Sequence, residues 1–332
     1  VALSVPGYRP GFVIVADDVD ITGALMDRLV TLRAVDESTG RPDTLTFTVN
    51  DKGGKTPIPP LGKKLELWLG YIEPEDTMLK VGTYAADEYV LTGPPFRMIV
   101  QATAAKMLTE MKAPKTATYH DTTIGRIMDE VAKKYSLEAI TDKALADVVV
   151  PHRDQTEESD LNFVTRLAEQ YGAVAKPAYG EFRFVMRNDG TTAEVKYPIQ
   201  AKWITNWRAD YNSRNKYVAV IAHYRDLDKA ELVPVRVGQK TGFPVKTMRH
   251  PFPDLDQATA AATAELERLQ RGEGKLRLSM PGIPDLKAND IIVLDGIRDG
   301  VDGEWLCTRI EHIYAESGYR LKVEAETPKV KT

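Results

Sequence analysis

The sequence predicts an α+β, multidomain fold: two similar small β-barrel domains flanking a central helical and hairpin (α+β) region. Three observations carry this reading. Residues 1–112 and 201–332 hold many short segments in which apolar and polar residues alternate, the period of half-buried strands. Residues 113–200 switch to helical spacing of apolar positions. The end of the first β region also resembles the end of the second, so the expected division is 1–112, 113–200 and 201–332, the last with one inserted helix.

In the first region, residues 12–15 form a short apolar run, and Asp17, Asp18 and Asp20 form a polar loop beyond it. Leu45, Phe47 and Val49 alternate with Thr44, Thr46 and Thr48. Residues 52–60 read as a Gly/Pro-rich loop. Leu65, Leu67 and Leu69 then alternate with Lys64, Glu66 and Trp68, and Gly70 is expected to close that strand. Strands over 81–92 and 96–103 flank the turn Gly93-Pro94-Pro95.

The central region is organised around residues 155–187. Leu161, Val164, Leu167, Ala168 and Tyr171 recur at helical spacing. Thr156 or Ser159 can cap the start of this helix, and Glu157, Glu158 and Asp160 put negative charge at the positive end of its dipole. Gly172 supplies a left-handed residue to end it. Residues 173–178 and 181–187 alternate around Tyr179-Gly180, a hairpin. Upstream, Asp121 or Thr122 caps a helix carrying Ile124, Ile127, Met128, Val131 and Tyr135 on one side. Residues 141–147 read as one more helical turn and 148–151 as a short extended piece.

After residue 200 the strands return, over 217–224, 232–237, 276–280, 291–294, 304–314 and 319–325, with Pro234 pointing to an edge position. Residues 256–270 form a helix of small residues, with Ala258, Ala261, Ala262, Leu266 and Leu269 inward and Gly272 behind it. The internal likeness sets Leu61, Leu65, Leu67 and a strand over 84–90 against Leu286, Ile291, Val293 and a strand over 305–313. It ends on Phe96-Arg97-Met98-Ile99-Val100-Gln101-Ala102 against Tyr319-Arg320-Leu321-Lys322-Val323-Glu324-Ala325. Duplication and chance likeness between amphipathic strands both account for it.

Composition narrows the function. A hydrophobic share of 43% and a charged share of 28% over 332 residues are globular values. A net charge of −4 offers no overall basic footprint for nucleic acid. Cys307 is the sole cysteine, so no intrachain disulfide forms, and its strand-like setting marks it as a small buried hydrophobe. No leader opens the chain and no apolar run approaches a membrane span, which points to folding in a reducing cytoplasm without membrane insertion.

Candidate chemistry is sparse. Gly53-Gly54-Lys55-Thr56 resembles half of a phosphate loop, but Val49 stands where its first glycine belongs, and Pro57, Pro59 and Pro60 forbid the helix that should follow. Ser213 and Lys216 have serine–lysine spacing in what reads as a polar loop. His120, His152, His223, His250 and His312 lack helical two-histidine spacing and neighbouring cysteines, so no zinc site is expected; His312 reads as a sheet residue. Asp295, Asp299 and Asp302 do not follow the calcium-loop pattern and read as a hairpin loop. Asp154, Glu157, Glu158 and Asp160 suit either an acid/base pair or helix capping, and capping needs no substrate.

The stretch from Gln155 to Gly172 resembles the signature of the phage late control protein D family, the hub proteins of contractile-tail baseplates, related to the base of type VI secretion spikes. Pro10-Gly11-Phe12 with Asp20-Ile21-Thr22, residues 43–51, Gly93-Pro94-Pro95, and 302–305 through Glu311-His312 to Gly318-Tyr319 fit in the same order, over nearly the whole chain. The resemblance implies a homotrimer whose paired modules, the first of tube type, present six barrels around one axis. Such a ring would join a hexameric tail tube to a separate central spike protein, beside other baseplate proteins. It implies a virion or tailocin particle assembled in the bacterial host cytoplasm, with no catalysis, cofactor, metal or specific nucleic-acid binding. Gln155, Glu158, Ser159, Asp160 and Phe163 would be structural signature residues. The competing expectations are a peptidoglycan-cleaving tail-tip enzyme using the acids of 154–160, and the base of a type VI spike.

Overall fold

The computed structural model describes residues 9–328 other than 39–40, 52, 55, 57–59, 74–76, 105–110, 179, 187–195, 212–216, 227–230 and 271–273. The first β region forms β1 (Arg9–Ala16), β2 (Val19–Asp20), a one-turn helix α1 (Thr22–Met26), β3 (Leu29–Glu37), β4 (Thr44–Asn50), β5 (Lys64–Glu73), β6 (Leu79–Thr92) and β7 (Arg97–Thr103). The alternation works as expected: Leu45, Phe47 and Val49, then Leu65, Leu67 and Leu69, then Met98, Val100 and Ala102 are buried on one face. Gly70 does not end β5. The strand runs on to Glu73, and a Cβ at Gly70 would strike the Thr77 backbone.

The central region comprises β8 (Pro114–Thr123), α2 (Ile124–Lys134), β9 (Glu138–Thr141), α3 (Lys143–Ala146), β10 (Val149–Ser159), α4 (Asp160–Gln170), β11 (Ala173–Ala178) and β12 (Glu181–Met186). Ile124, Ile127, Met128 and Val131 of α2 meet Phe163, Val164 and Leu167 of α4 and Phe182 and Phe184 of β12 in a separate core. Thr123, one residue beyond the expected caps, accepts from Arg126 N and starts α2. Gly172, at φ +65°, follows α4 as expected, and β11 and β12 form the hairpin with Gly180 at φ +78°; Tyr179 and Arg187 lie outside the described residues.

The main departure here is β10. It runs to Ser159 and pairs antiparallel with β8, so Glu157 and Glu158 finish a strand rather than open a helix. This ladder is mostly solvent-facing, with only Val150 and Gln155 buried along β10, so it carried no apolar alternation to read.

The last region contains β13 (Lys196–Gln200), β14 (Asn206–Tyr211), β15 (Ala219–Asp226), β16 (Glu231–Gly238), β17 (Val245–Thr247), α5 (Leu255–Gln270), β18 (Gly274–Pro281), β19 (Ile291–Asp295), β20 (Gly303–Ala315) and β21 (Gly318–Glu326). The segment between β14 and β18 is more than an inserted helix. It holds a sheet ordered β16-β15-β17, and α5 seals it by packing Ala258, Ala262 and Leu266 on Val220 and Ala222. The sheet order leaves β16, with Pro234, at an edge.

Two closed barrels do not appear among the described strands. A single thirteen-stranded sheet runs β14-β18-β21-β20-β3-β4-β7-β6-β5-β1-β2, with β19 on β20 and β13 on β19. The reason lies in the 13 residues of β20: its first part pairs with β19, and 309–315 pair with β3 of the other region. In the first region the β3 edge that would close a barrel is occupied by β20 of the other region. One core accordingly includes Phe12, Leu32 and Val100 together with Leu278, Ile310 and Val323.

Within this sheet the two regions repeat one plan. Taken by chain order, β1, β3, β4, β5, β6 and β7 lie as β3-β4-β7-β6-β5-β1, and β13, β14, β18, β19, β20 and β21 lie as β14-β18-β21-β20-β19-β13. Ala86 faces Ala102 and Cys307 faces Ala325; each pair is followed by a bulge and then by Tyr89 facing Val100 or Ile310 facing Val323. Gly82 faces Leu67 as Gly303 faces Leu294, so Leu65 and Leu67 correspond to Ile292 and Leu294, one residue beyond the Ile291 and Val293 read from spacing. The last strands differ: β1 runs antiparallel to β5, and β13 parallel to β19.

His312 lies in β20 opposite Ala34 of β3, buried, with Nδ1 2.7 Å from the Tyr319 hydroxyl. Burial lowers its pKa from 6.5 to about 4, against a weaker opposing pull from Asp36. The folded state therefore binds the proton less tightly than the unfolded chain, and stability drains away as pH falls from 6.5 toward 4, by about 3 kcal/mol. His312→Gln should flatten that part of the profile, read as denaturant midpoints at about pH 7 and about pH 4.5.

Candidate functional site

The joint between β10 and α4 gathers all five signature positions. Against β8 the ladder slips between Gln155 and Glu158, and Glu157 takes φ +47°, a left-handed conformation that non-glycine residues seldom adopt. The slip turns the chain so that Ser159 accepts from Asn162 N at 3.2 Å and caps α4. Thr156 takes no part in that cap. Asp160, first in the helix, points inward and is fully buried.

Its carboxylate is surrounded by donors. The Tyr135 hydroxyl donates at 2.6 Å, Gln155 Nε2 at 2.9 Å and Lys115 Nζ at 3.0 Å, and Lys134 Nζ lies 3.7 Å away. Burial pushes the Asp160 pKa up, but the hydrogen bonds from Tyr135, Gln155 and Lys115, with the Lys134 charge, outweigh it and hold the group below its usual 3.8. Gln155 Nε2 also donates to Glu158 O at 2.8 Å. Glu158 is held by Arg166 at 2.7 Å, and the Arg166 guanidinium covers the Phe163 ring, which stacks on Tyr119 at 5.1 Å. A buried carboxylate held by three hydrogen bonds, beside one bound to arginine, is placed to fix the start of α4.

The other candidates are turns or sheet residues. Gly53 and Gly54 sit at φ +80° and +78° in a turn that Asp51 closes by accepting from Thr56 N at 2.8 Å; Lys55 lies outside the described residues. Ser213 and Lys216 also lie outside them. Asp302 accepts from Ile297 N at 2.8 Å, closing the hairpin loop. Among the described residues, no group of three or more His, Cys, Asp or Glu is placed to hold a metal. Cys307 is buried, and burial pushes its thiol pKa up.

Two groupings were invisible in the sequence. His120 and His152 face each other across the β8–β10 ladder with Nδ1 atoms 3.0 Å apart, and His152 Nε2 lies 3.0 Å from Asp154. Lys176 of β11 reaches β3, 2.6 Å from Asp36 and 2.7 Å from Asp43, and so ties the central hairpin to the large sheet. Burial and neighbouring Asp36 push the Asp43 carboxyl up to about 7 against the pull of Lys176, since one ammonium cannot neutralise two carboxylates. Strand pairing brings the histidines together, and packing of the central hairpin against the large sheet brings Lys176 to Asp36 and Asp43; their spacing along the chain carried no signal.

The described residues define a mostly sheet-built α+β fold in which the acids at this joint are tied into structural hydrogen bonds. The fold is that of solved tail proteins. The structure is similar to the 43 kDa tail protein of prophage MuSo2 from Shewanella oneidensis (TM-score 0.72, 14% identity, 96% of this chain and 98% of that one). It is also similar to the tail protein from Neisseria meningitidis MC58 (TM-score 0.73, 10% identity, 96% and 97%). Residues 97–318 match the family model described as "Phage tail baseplate hub (GPD)", and the chain belongs to that family. It is 26% identical to a protein of Escherichia phage P2 named "Probable baseplate hub protein", over 96% of this chain and 93% of that one.

Asp160→Asn keeps the shape but leaves Lys115 and Lys134 facing a neutral amide. It should cost roughly 2 kcal/mol near neutral pH, discounted because both lysines are partly exposed. Because the folded pKa is depressed, the stabilisation is present above 3.8 and lost as pH falls below it. The gap between wild type and variant in urea unfolding should therefore narrow in acid.

Proposed function

We propose that this chain is the structural hub of a contractile phage tail or tailocin baseplate, three copies forming a pseudo-six-fold ring that joins a hexameric tail tube to a central spike. The supporting observation is the doubled strand order: one six-strand plan occurs twice, with the bulge at the same step. A chain carrying two equivalent modules gives six around a threefold axis, so one ring can present sixfold contacts on one side and threefold contacts on the other. Segments 1–112 and 201–332, the latter joined by β13, supply the ring modules, and the rest of 113–200 is a separate unit anchored at β3 by Lys176.

Gln155, Glu158, Ser159, Asp160 and Phe163 act structurally, locking α4 onto the β8–β10 ladder. The hydrogen bonds around Asp160 and the Arg166 clamp on Glu158 support a structural role for these two acids. Its partners are two further copies, the spike, the tube and neighbouring baseplate proteins, in a particle assembled in the host cytoplasm without membrane insertion or specific nucleic-acid binding.

Light scattering of the full chain at high concentration should give a trimer, and negative-stain images with the purified spike should show a ring of six lobes. A stable monomer that forms no ring with the spike overturns the hub reading. Glu157→Gln and Glu158→Gln should leave a cell-wall release assay at background, as for wild type. A release activity present in wild type and abolished in a folded variant would replace the hub with an enzyme.

A further inference from the structure

The joint between β20 and β3 is made once within the chain, yet each of its two strands has a counterpart elsewhere whose matching edge is open. By the register of the two meanders, Arg309, Ile310, Glu311, His312 and Ile313 of β20 correspond to Glu88, Tyr89, Val90, Leu91 and Thr92 of β6. Leu45 and Leu276 occupy matching places, so Ala34 of β3 corresponds to Ala209 of β14, Arg33 to Arg208 and Leu32 to Trp207. Among the described residues, 88–92 pair only with β7 and β14 pairs only with β18.

Burial separates the made joint from the unmade one. Ile310, His312, Leu32 and Ala34 are all within 2% of complete burial. At the corresponding open positions Leu91 is 49% exposed and Trp207 39%, and Tyr211 near the end of β14 is 55% exposed. Tyr89 and Leu91 continue the face on which Ile310 joins the large core, and Ala209 already packs against that core. The end of the sheet at β14, and the stretch of β6 that runs beyond its pairing with β5, thus each present an apolar half-seam beside backbone groups with no ladder partner among the described residues, an arrangement that single chains normally cover or charge.

We propose that these two edges join to each other between copies: residues 89–92 of β6 in one copy pair antiparallel with β14 of the next. The register is that of the internal joint. Leu91 then faces Ala209, Tyr89 faces Tyr211, Val90 faces Asp210 and Thr92 faces Arg208. The partner is a second copy of this chain, because the joint it must reproduce already exists inside the molecule, strand for strand. This rests on the ring proposed above and supplies its contact residues. The made joint carries the ion pairs Arg33–Glu311 (2.8 Å) and Arg309–Glu37 (3.0 Å). The open edges do not repeat them: Val90 stands in place of Glu311, and Arg208 already holds Asp210 on its own strand at 2.7 Å. The seam between copies is therefore the more apolar of the two.

The test is a pair of cysteines in the full chain, Leu91→Cys with Ala209→Cys, oxidised at high concentration and run without reductant. Native Cys307 is fully buried and stays out of the reaction. Covalent species of two and three chains are expected from the double variant and from neither single variant. Leu91→Cys with Asp210→Cys, one residue out of register and on the opposite face, should not cross-link. Leu91→Glu should weaken association at least about tenfold, with the circular dichroism of the folded chain unchanged. A trimer by light scattering that fails to cross-link through 91 and 209 overturns this pairing and leaves the ring standing. A monomer at high concentration overturns both.

Discussion

The pairing of β20 with β3 is the constraint on which the molecule depends. It joins residues far apart in the chain, Arg309 to Glu37 at one end and Ala315 to Thr31 at the other, and turns two six-strand meanders into one sheet. Without it, Leu32 and Ala34 on one side and Ile310 and His312 on the other would lose their cover. The joint buries a neutral histidine and a nearly inaccessible Glu311, the latter matched by Arg33 and Arg309. Groups like these are tolerated only where the surrounding packing is dense and the partners are already placed.

Other contacts reinforce that joint. Tyr71 of β5 donates to the Gly282 carbonyl at 3.0 Å and packs beside Tyr319, while Phe12 meets Tyr314 edge to face at 5.0 Å. Asp36, on β3, receives Lys176 from the central hairpin and the Ala288 amide from the last region at 2.9 Å. One carboxylate thereby gathers all three parts of the chain at the seam. The central unit keeps its own core and its own buried charge at Asp160, and it is attached through Lys176 on the β3 side and through α4 on α5, where Arg153 and Gln170 meet Gln257.

Much of the fold was legible because its signal was local. The strands with Leu45, Phe47 and Val49, or with Leu276 to Met280, bury one face, and a half-buried strand writes that face as alternation. The α2 stripe and the Gly172 stop were readable for the same reason. The β8–β10 ladder was not, since a strand with both faces near water leaves no apolar period. Of the site, Ser159 as cap and the five clustered positions were visible, but Lys115, Lys134, Tyr135 and Tyr119 were not. They come from β8 and the end of α2, and nothing in the order of residues says that those elements meet α4.

Taken alone, the sequence determined most element types, the α+β class, a likeness between the two β regions that left duplication open, and the family resemblance, because periodicity, caps and motif order are properties of neighbouring residues. The tertiary structure decided that the two plans share one sheet, and that Asp160 is enclosed by donors where an exposed acid cluster could have been expected. It also decided which sheet edges stay open among the described residues. The shared sheet and its edges depend on strand register across hundreds of residues, where a shift of one position reverses every side chain, and the enclosure of Asp160 depends on how β8 and the end of α2 pack on α4; packing rather than any local pattern sets both.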